Sequence, residues 1–436
     1  MRKSLIFLTA LFVCALMQMA APAQSQNNDS ADVPDNAAIA IDPSAGVPDS
    51  LSNALSSSEI ADKIVEAKQL LKTQLTRSTS AEIASVTLAA LDTKQSQIHI
   101  FSLPKDSFLV KGAELTAQTQ LGDTVRVQVI RANGVNTAVT VTDTLTGRAF
   151  LPLMVEYPIV RGGVLSETAY YTSAHPALLS LEVVSTGKTY VGRMLEEAAD
   201  RLAQQGVDIS PDIVTVAEHL CIVEHTDHQR FLSESASVLF PEILSLYALN
   251  EGNTYRYSVS SAGAGGMIQM IPRTYEGIRK NHPTVTLNSD FVSGMRDHGN
   301  ALEAMLLYMQ DTWKVLEQSA DVQNALQSGI ATKPELLATG YNSNPMRLPA
   351  YLKNGGSEWR TLIPAETQMY LAIYSAVDNT IKFDDRAGQK DLLSEASRNS
   401  HTAMLVAGRN GVAVSVMSWL SNELMSGQSL VARILP

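Results

Sequence analysis

The chain reads as an α+β multidomain protein, a mainly helical domain preceded by a small β-rich domain. Two patterns carry that reading. Apolar residues alternate with period two from about residue 98 to 191, and they follow three-and-four spacing on either side of that stretch. A third observation sets the scale: 436 residues with 45% hydrophobic content hold material for two or three cores.

Met1-Arg2-Lys3 is a positive head, and Leu5 to Ala21 is almost wholly apolar. Ala21-Pro22-Ala23 supplies a small-x-small cleavage pattern, so residues 1–23 are expected to be a signal peptide cut after Ala23. A transmembrane anchor is disfavoured, because the run is short and no basic stop follows. No small residue precedes Cys14 in Leu11-Phe12-Val13, which disfavours a lipid anchor. Loss of Cys14 leaves Cys221 without an intramolecular disulfide partner. Export without disulfides fits a bacterial envelope protein in the periplasm. The formal charge is −11, and removing two cations, Arg2 and Lys3, makes it −13. That argues against nucleic acid as a partner and against simple electrostatic adhesion to anionic wall polymers.

Residues 24–57 are rich in Ser, Asn, Asp, Ala and Pro and are expected to form a disordered linker. Residues 58–95 are expected to be helical through Leu91, with Ile60, Ile64, Leu70, Leu71 and Leu75 on one face. The β-rich domain is expected over 96–192. Thr124 to Val129 and Ala138 to Thr142 alternate, and Asn133-Gly134 between them is a strong hairpin signal. Val155 to Val160 and Leu178 to Val184 suggest further strands. This domain could position an enzyme, bind another envelope protein or cover a cleft; a structural module is the default.

Arg193 to Gln205 reads as a connecting helix, and Pro211-Asp212 opens the next. That helix holds His219, Glu224, His225 and His228, a set that invites a metal reading. No recognised zinc spacing is present, so a polar helix face is the expectation, with no metal and no organic cofactor. Pro241 and Glu242 suit the first turn of another helix, with Ile243, Leu244, Tyr247 and Ala248 on one apolar face. Glu251 falls one turn past Tyr247 on that face and is followed by Gly252, a good left-handed stop. A carboxylate at a helix C-terminus, next to an expected apolar wall at Met267-Ile268, should have a raised pKa and suits a general acid. The run Gly263-Ala264-Gly265-Gly266 would let backbone approach a ligand closely.

These residues carry a resemblance. The stretch from Glu251 to Gln269 is similar to the catalytic core of soluble lytic transglycosylases, goose-lysozyme-like enzymes that cut peptidoglycan. Their pattern is a helix ending in Glu-Ser, then S-x-x-G-A-x-G-L-M-Q, with fifteen positions from the Glu to the last Gly. Glu251 to Gly266 is also fifteen positions (266 − 251), and Ser260, Gly263, Ala264, Gly266 and Gln269 match. Asn300 to Ala304 with Tyr308-Met309, then Gly340-Tyr341-Asn342-Ser343-Asn344-Pro345, then Glu366-Thr367-Gln368-Met369-Tyr370 resemble three later family motifs in order. The resemblance covers roughly residues 210–380. Gly252 stands where the family has Ser, and Ser343-Asn344 where it has Ala-Gly.

The resemblance implies a lysozyme-like catalytic domain over 193–386 and a lyase acting on the β-1,4 bond between N-acetylmuramic acid and N-acetylglucosamine. It makes Glu251 the single acid then base, leaving 1,6-anhydromuramic ends. It implies Ser260, Gly266, Met267, Gln269, Tyr341, Asn342, Glu366 and Tyr370 as substrate-binding residues, with peptidoglycan glycan strands as partner. By the residues alone, Asn342 orders its own turn. The alternatives are a goose-type lysozyme, with Asp290 and Asp297 as candidate helpers, or a catalytically silent glycan-binding or envelope-scaffold protein. Residues 387–436 leave the family pattern and are expected to be a C-terminal helical extension.

Overall fold

The computed structural model describes residues 56–73 and 83–383. The expected signal peptide, nearly all of the 24–57 linker and the 387–436 extension lie outside the described residues. What is described is an α+β protein: a curled antiparallel sheet followed by a helical assembly.

Helix α1, Ser57–Thr73, is followed by seven strands: β1 Ser85–Asp92, β2 Gln97–Pro104, β3 Glu114–Gln118, β4 Thr124–Arg131, β5 Ala138–Asp143, β6 Ala149–Arg161 and β7 Val164–Thr172. The spatial order is β2-β1-β6-β5-β4-β3, with β7 also pairing β6, and every pairing is antiparallel. The thirteen-residue β6 joins the two parts of the sheet, pairing β5 near Phe150 and both β1 and β7 further on. Alternation explains the two cores. Val86, Leu88 and Ala90 of β1 pack inside the curl with Val125, Val127 and Val129 of β4. Ala89 and Leu91 point the other way, onto a layer capped by Ala67 and Leu71 of α1.

Two expected boundaries move. The helical expectation through Leu91 fails because β-branched Val86 and Thr87 open an alternating strand at Ser85. The expected strand at Leu178 to Val184 is instead a short turn, Pro176–Leu178, and then the start of a helix at Leu181. (The four-residue helix α2 is Lys105–Phe108.) Helix α3 runs unbroken over Leu181–Gln204, with Ser180 Oγ accepting from the Val183 amide at 3.1 Å.

The helical assembly continues with α4 Pro211–Val223, α5 His228–Ser233, α6 Ala236–Asn250, α7 Pro272–Asn281, α8 Phe291–Arg296, α9 His298–Leu316, α10 Ala320–Gln327, α11 Lys333–Asn342, α12 Leu348–Gly355 and α13 Ala365–Thr380. Helix α6 starts at Ala236, so Pro241 lies inside it rather than in its first turn. Gly187 of α3 meets α6 backbone to backbone: a Cβ there would lie 1.9 Å from the Leu244 carbonyl oxygen. Buried side chains from α3, α4, α6, α9, α11 and α13 form one continuous core. Among the described residues, no helix is long and apolar enough to cross a membrane.

Sheet and helices are tied by polar contacts that each satisfy a buried group. Asn250 Oδ1 accepts from the Thr172 amide at 2.8 Å, and the Tyr171 hydroxyl donates to the Asn253 carbonyl. Arg131, at the end of β4, reaches Glu242 of α6 at 2.6 Å; Arg230 of α5 grips the same carboxylate at 2.8 Å.

Candidate functional site

Helix α4 is apolar on nearly every side, with Ile213 to Val223 almost entirely buried. It stops at Val223 and delivers the next residue, Glu224, to the edge of a cleft of about 830 Å³. Glu224 is half-buried and lines the cleft, and desolvation is the largest influence on its carboxyl group. Burial pushes its pKa up to about 8; a hydrogen bond from Tyr370 lowers it, and the nearby charge of Glu366 raises it. The Tyr370 hydroxyl donates to Glu224 Oε1 at 2.6 Å. Tyr341 also feels the Glu224 charge, which adds to burial in pushing its phenol well above the ordinary range. Its hydroxyl donates to the Ile268 carbonyl at 2.8 Å, and its ring meets Tyr308 edge-on at 5.7 Å.

The opposite side of the acid is the glycine loop. Val259, Gly265 and Met270 form two isolated bridges that fold the chain back on itself. Gly266, at φ 71°, has no room for a side chain, because a Cβ would lie 2.2 Å from the Met295 carbonyl oxygen. Gln269 holds the left-handed conformation as a non-glycine residue, φ 46°, and its amide donates to the Gly266 carbonyl at 2.8 Å. Both Gln269 and Ser260 line the cleft with Glu224. Ser260 Oγ accepts from the Ala264 amide at 3.1 Å, which fixes the start of the loop.

His225 joins the two halves. Its Nε2–H donates to the Met267 carbonyl at 2.9 Å, and its ring lies flat on Tyr255, centroids 3.4 Å apart. Burial pulls its pKa down to about 3, so it is neutral at physiological pH. Its role is to hold the loop against the end of α4.

Of the residues expected at the site, Gln269 lines the cleft with Glu224, while Tyr341, Glu366 and Tyr370 lie near Glu224 rather than Glu251 but outside the residues that line the cleft. Glu251 is exposed at the end of α6, beside Tyr190 and outside the residues that line the cleft. The expected burial fails because helix α6 ends at Asn250 and Glu251, at φ 43° and ψ −125°, has left the helical path, so it is no longer on the Tyr247 face. Met267 is fully buried and contributes its carbonyl to His225 rather than a cleft-facing side chain. Asn342 ends α11 away from the cleft lining; the turn after it is ordered by Asn344, whose Oδ1 accepts from the Met346 amide at 3.0 Å.

Asp290 and Asp297 serve as helix caps, accepting from the amides of Ser293 and Asn300. His219 and Glu224 do not share a metal site. The His219 Nδ1–H donates to the Thr215 carbonyl, and the ring packs on Tyr374 and Phe383. Among the described residues, no group of His, Cys, Asp and Glu is placed to hold a metal ion.

The sheet supplies the second wall. Lys111, Asn133, Asn136 and Tyr157, from the sheet and its connecting loops, line the cleft together with Glu224, His225 and Asp227. No family model, curated protein or solved structure matches this chain.

Proposed function

We propose that this protein is a lytic transglycosylase that cleaves peptidoglycan glycan strands, with Glu224 as its acid and base on a lysozyme-like helical domain. The observation that carries the reading is the Glu224 carboxyl itself, desolvated, lining an 830 Å³ cleft and shifted to about 8. Of the residues that match the transglycosylase motifs, Tyr370 bonds this acid, Tyr341 and Glu366 lie near enough to feel its charge or act on it, and Gln269 lines the same cleft. A pKa near 8 keeps the carboxyl mostly protonated at neutral pH, as a proton donor to a glycosidic oxygen requires.

Glu224 gives its proton to the leaving oxygen as the bond from the anomeric carbon of N-acetylmuramic acid breaks. The resulting carboxylate, still holding the Tyr370 hydrogen bond, then takes the proton from the sugar's own primary hydroxyl. That oxygen closes on the anomeric carbon, giving a 1,6-anhydro end without consuming water. The substrate's acetamido oxygen stabilises the intermediate cation, so one carboxylate serves both steps. Export to the periplasm, by a signal peptide cut after Ala23, would bring the enzyme to its polymer.

Digestion of purified sacculi with the full chain tests the reading. Released muropeptides should carry anhydro ends, about eighteen mass units lighter than hydrolysed ends, the mass of the water not added. Reducing ends would move the protein to the hydrolase reading, and no release would leave a glycan-binding role.

A further inference from the structure

Tyr255 holds a backbone conformation that side chains of its size rarely adopt, with φ at 54°. Such a conformation persists only where the surroundings over-determine it. Here they do so from three sides. Asn250 and Asn253 are held from the sheet, by the Thr172 amide and the Tyr171 hydroxyl. Thr254 is held from the helices: its Oγ1–H donates to the Leu246 carbonyl at 2.8 Å, and its own carbonyl accepts from His298 Nε2–H at 2.8 Å. A carbonyl can only accept, so His298 carries its proton on Nε2, and its Nδ1 accepts from the Tyr190 hydroxyl at 2.9 Å. Burial holds the His298 pKa below its ordinary value, which keeps the ring neutral in this role. The sheet, α3 and α9 thus converge on the residues just before Tyr255.

What they place is a ring. Tyr255 lies within 3° of parallel to His225, centroids 3.4 Å apart, and Tyr247 braces it edge-on at 5.4 Å. His225 follows Glu224 directly in the chain, so any tilt of the imidazole is carried to the peptide that bears the acid. We infer that Tyr255 is a positioning residue, whose strained backbone sets its ring as a clamp on His225 and thereby holds the Glu224 carboxyl at the edge of the cleft. The inference rests on the glycan-cleaving reading and adds to it what keeps the acid in place. Tyr255 lines the cleft but is only 5% exposed, so its effect reaches the chemistry through His225. Helices α5 and α6 then have a purpose: they carry the chain away from Glu224 and return it with the clamp.

The test is turnover of soluble glycan strands by the full chain, below the unfolding transition of each variant. Tyr255→Phe keeps the ring and should stay within about twofold of wild type. Tyr255→Leu removes it and should lower kcat about tenfold or more with KM within about twofold, since a misplaced acid weakens the transition state and not the bound strand. Tyr255→Gly also lacks the ring but accepts a φ of 54° without strain, so the same loss there assigns the effect to the ring. His225→Leu should cost a similar factor, and adding Tyr255→Leu to it should cost no more than about twofold again, because the two side chains act as one unit. Losses that multiply would show Tyr255 acting independently of His225 and would overturn the inference. An unchanged kcat, or failure of both ringless variants to fold, would overturn it too while leaving the glycan-cleaving reading intact. A wild-type chain that released no fragments would sink that reading and this inference with it.

Discussion

The Tyr370 hydroxyl donates to Glu224 Oε1 at 2.6 Å, across 146 residues of chain. This bond joins the end of α4 to α13 and lowers the pKa of a carboxyl that burial has raised. It fixes which acid the cleft is built around, because Tyr370 was expected beside Glu251, which is exposed elsewhere.

Glu224→Gln should therefore lower turnover on sacculi about a thousandfold or more, since the amide neither donates a proton as a strong acid nor accepts one. Glu251→Gln should stay within about twofold of wild type. Fragment release by mass spectrometry compares the two directly. The reverse ranking would return the chemistry to Glu251.

The pH profile should show the neighbours of Glu224 pulling in opposite directions. Activity needs the protonated acid, so it should fall as pH rises through about 8. Tyr370 lowers the Glu224 pKa, so Tyr370→Phe should move that alkaline limb upward. Glu366 raises it, so Glu366→Gln should move the limb downward. Rates measured from pH 5 to 10 for the three proteins decide this. Shifts in the same direction in both variants would show that another group controls the limb.

Stability carries the same signature with its own sign. A folded pKa raised from 4.5 to about 8 means the native state binds the proton more tightly than the unfolded chain. The stability from that proton is present in full below about pH 4.5 and is lost as pH rises through about 8. Glu224→Gln, which never ionises, should match wild type at pH 4 and exceed it at pH 9, by a few kcal/mol at most on the scale of roughly 1.4 kcal/mol per pKa unit. Denaturant unfolding at the two pH values measures it. An advantage that is the same at both would exclude ionisation of Glu224 as its source.

Much of this arrangement is legible in the sequence, and the main departure from the sequence expectation has a definite origin. The alternation around Asn133-Gly134 marked β4 and β5, and the later motifs marked Gln269, Tyr341, Glu366 and Tyr370. The proposed acid differs from the one the fifteen-residue spacing to the glycine loop points to, Glu251, because that residue is exposed outside the cleft. Helices α5 and α6 intervene, so Glu224 stands 27 positions further upstream (251 − 224). A local signal was available: an almost wholly apolar helix ending in Glu224-His225. The contribution of the sheet to the cleft is not legible, because Lys111 and Asn136 come to line the same cleft as Glu224 only through tertiary packing.

The limits of the helical assembly give the last prediction. Arg193 to Gln205 was expected to connect two domains, which would let a chain starting at Gln205 fold alone. The structure instead makes α3 part of the helical core, with Tyr190, Val191, Leu195, Ala198 and Leu202 buried against α4, α6 and α9. Burying each large apolar side chain contributes about 1.5–3 kcal/mol. Losing several exceeds much of the roughly 5–15 kcal/mol that holds a domain folded. A chain beginning at Gln205 should therefore be insoluble, or unfold without a cooperative transition. A chain beginning at Ser180 retains α3 and its cap, keeps Glu242 paired with Arg230, and should unfold cooperatively, though less stable than the full chain because it loses Thr172 and Arg131 as partners for α6. Thermal unfolding followed by circular dichroism compares them. A sharp transition in the Gln205 chain, matching that of the Ser180 chain, would show that α3 is dispensable to the core.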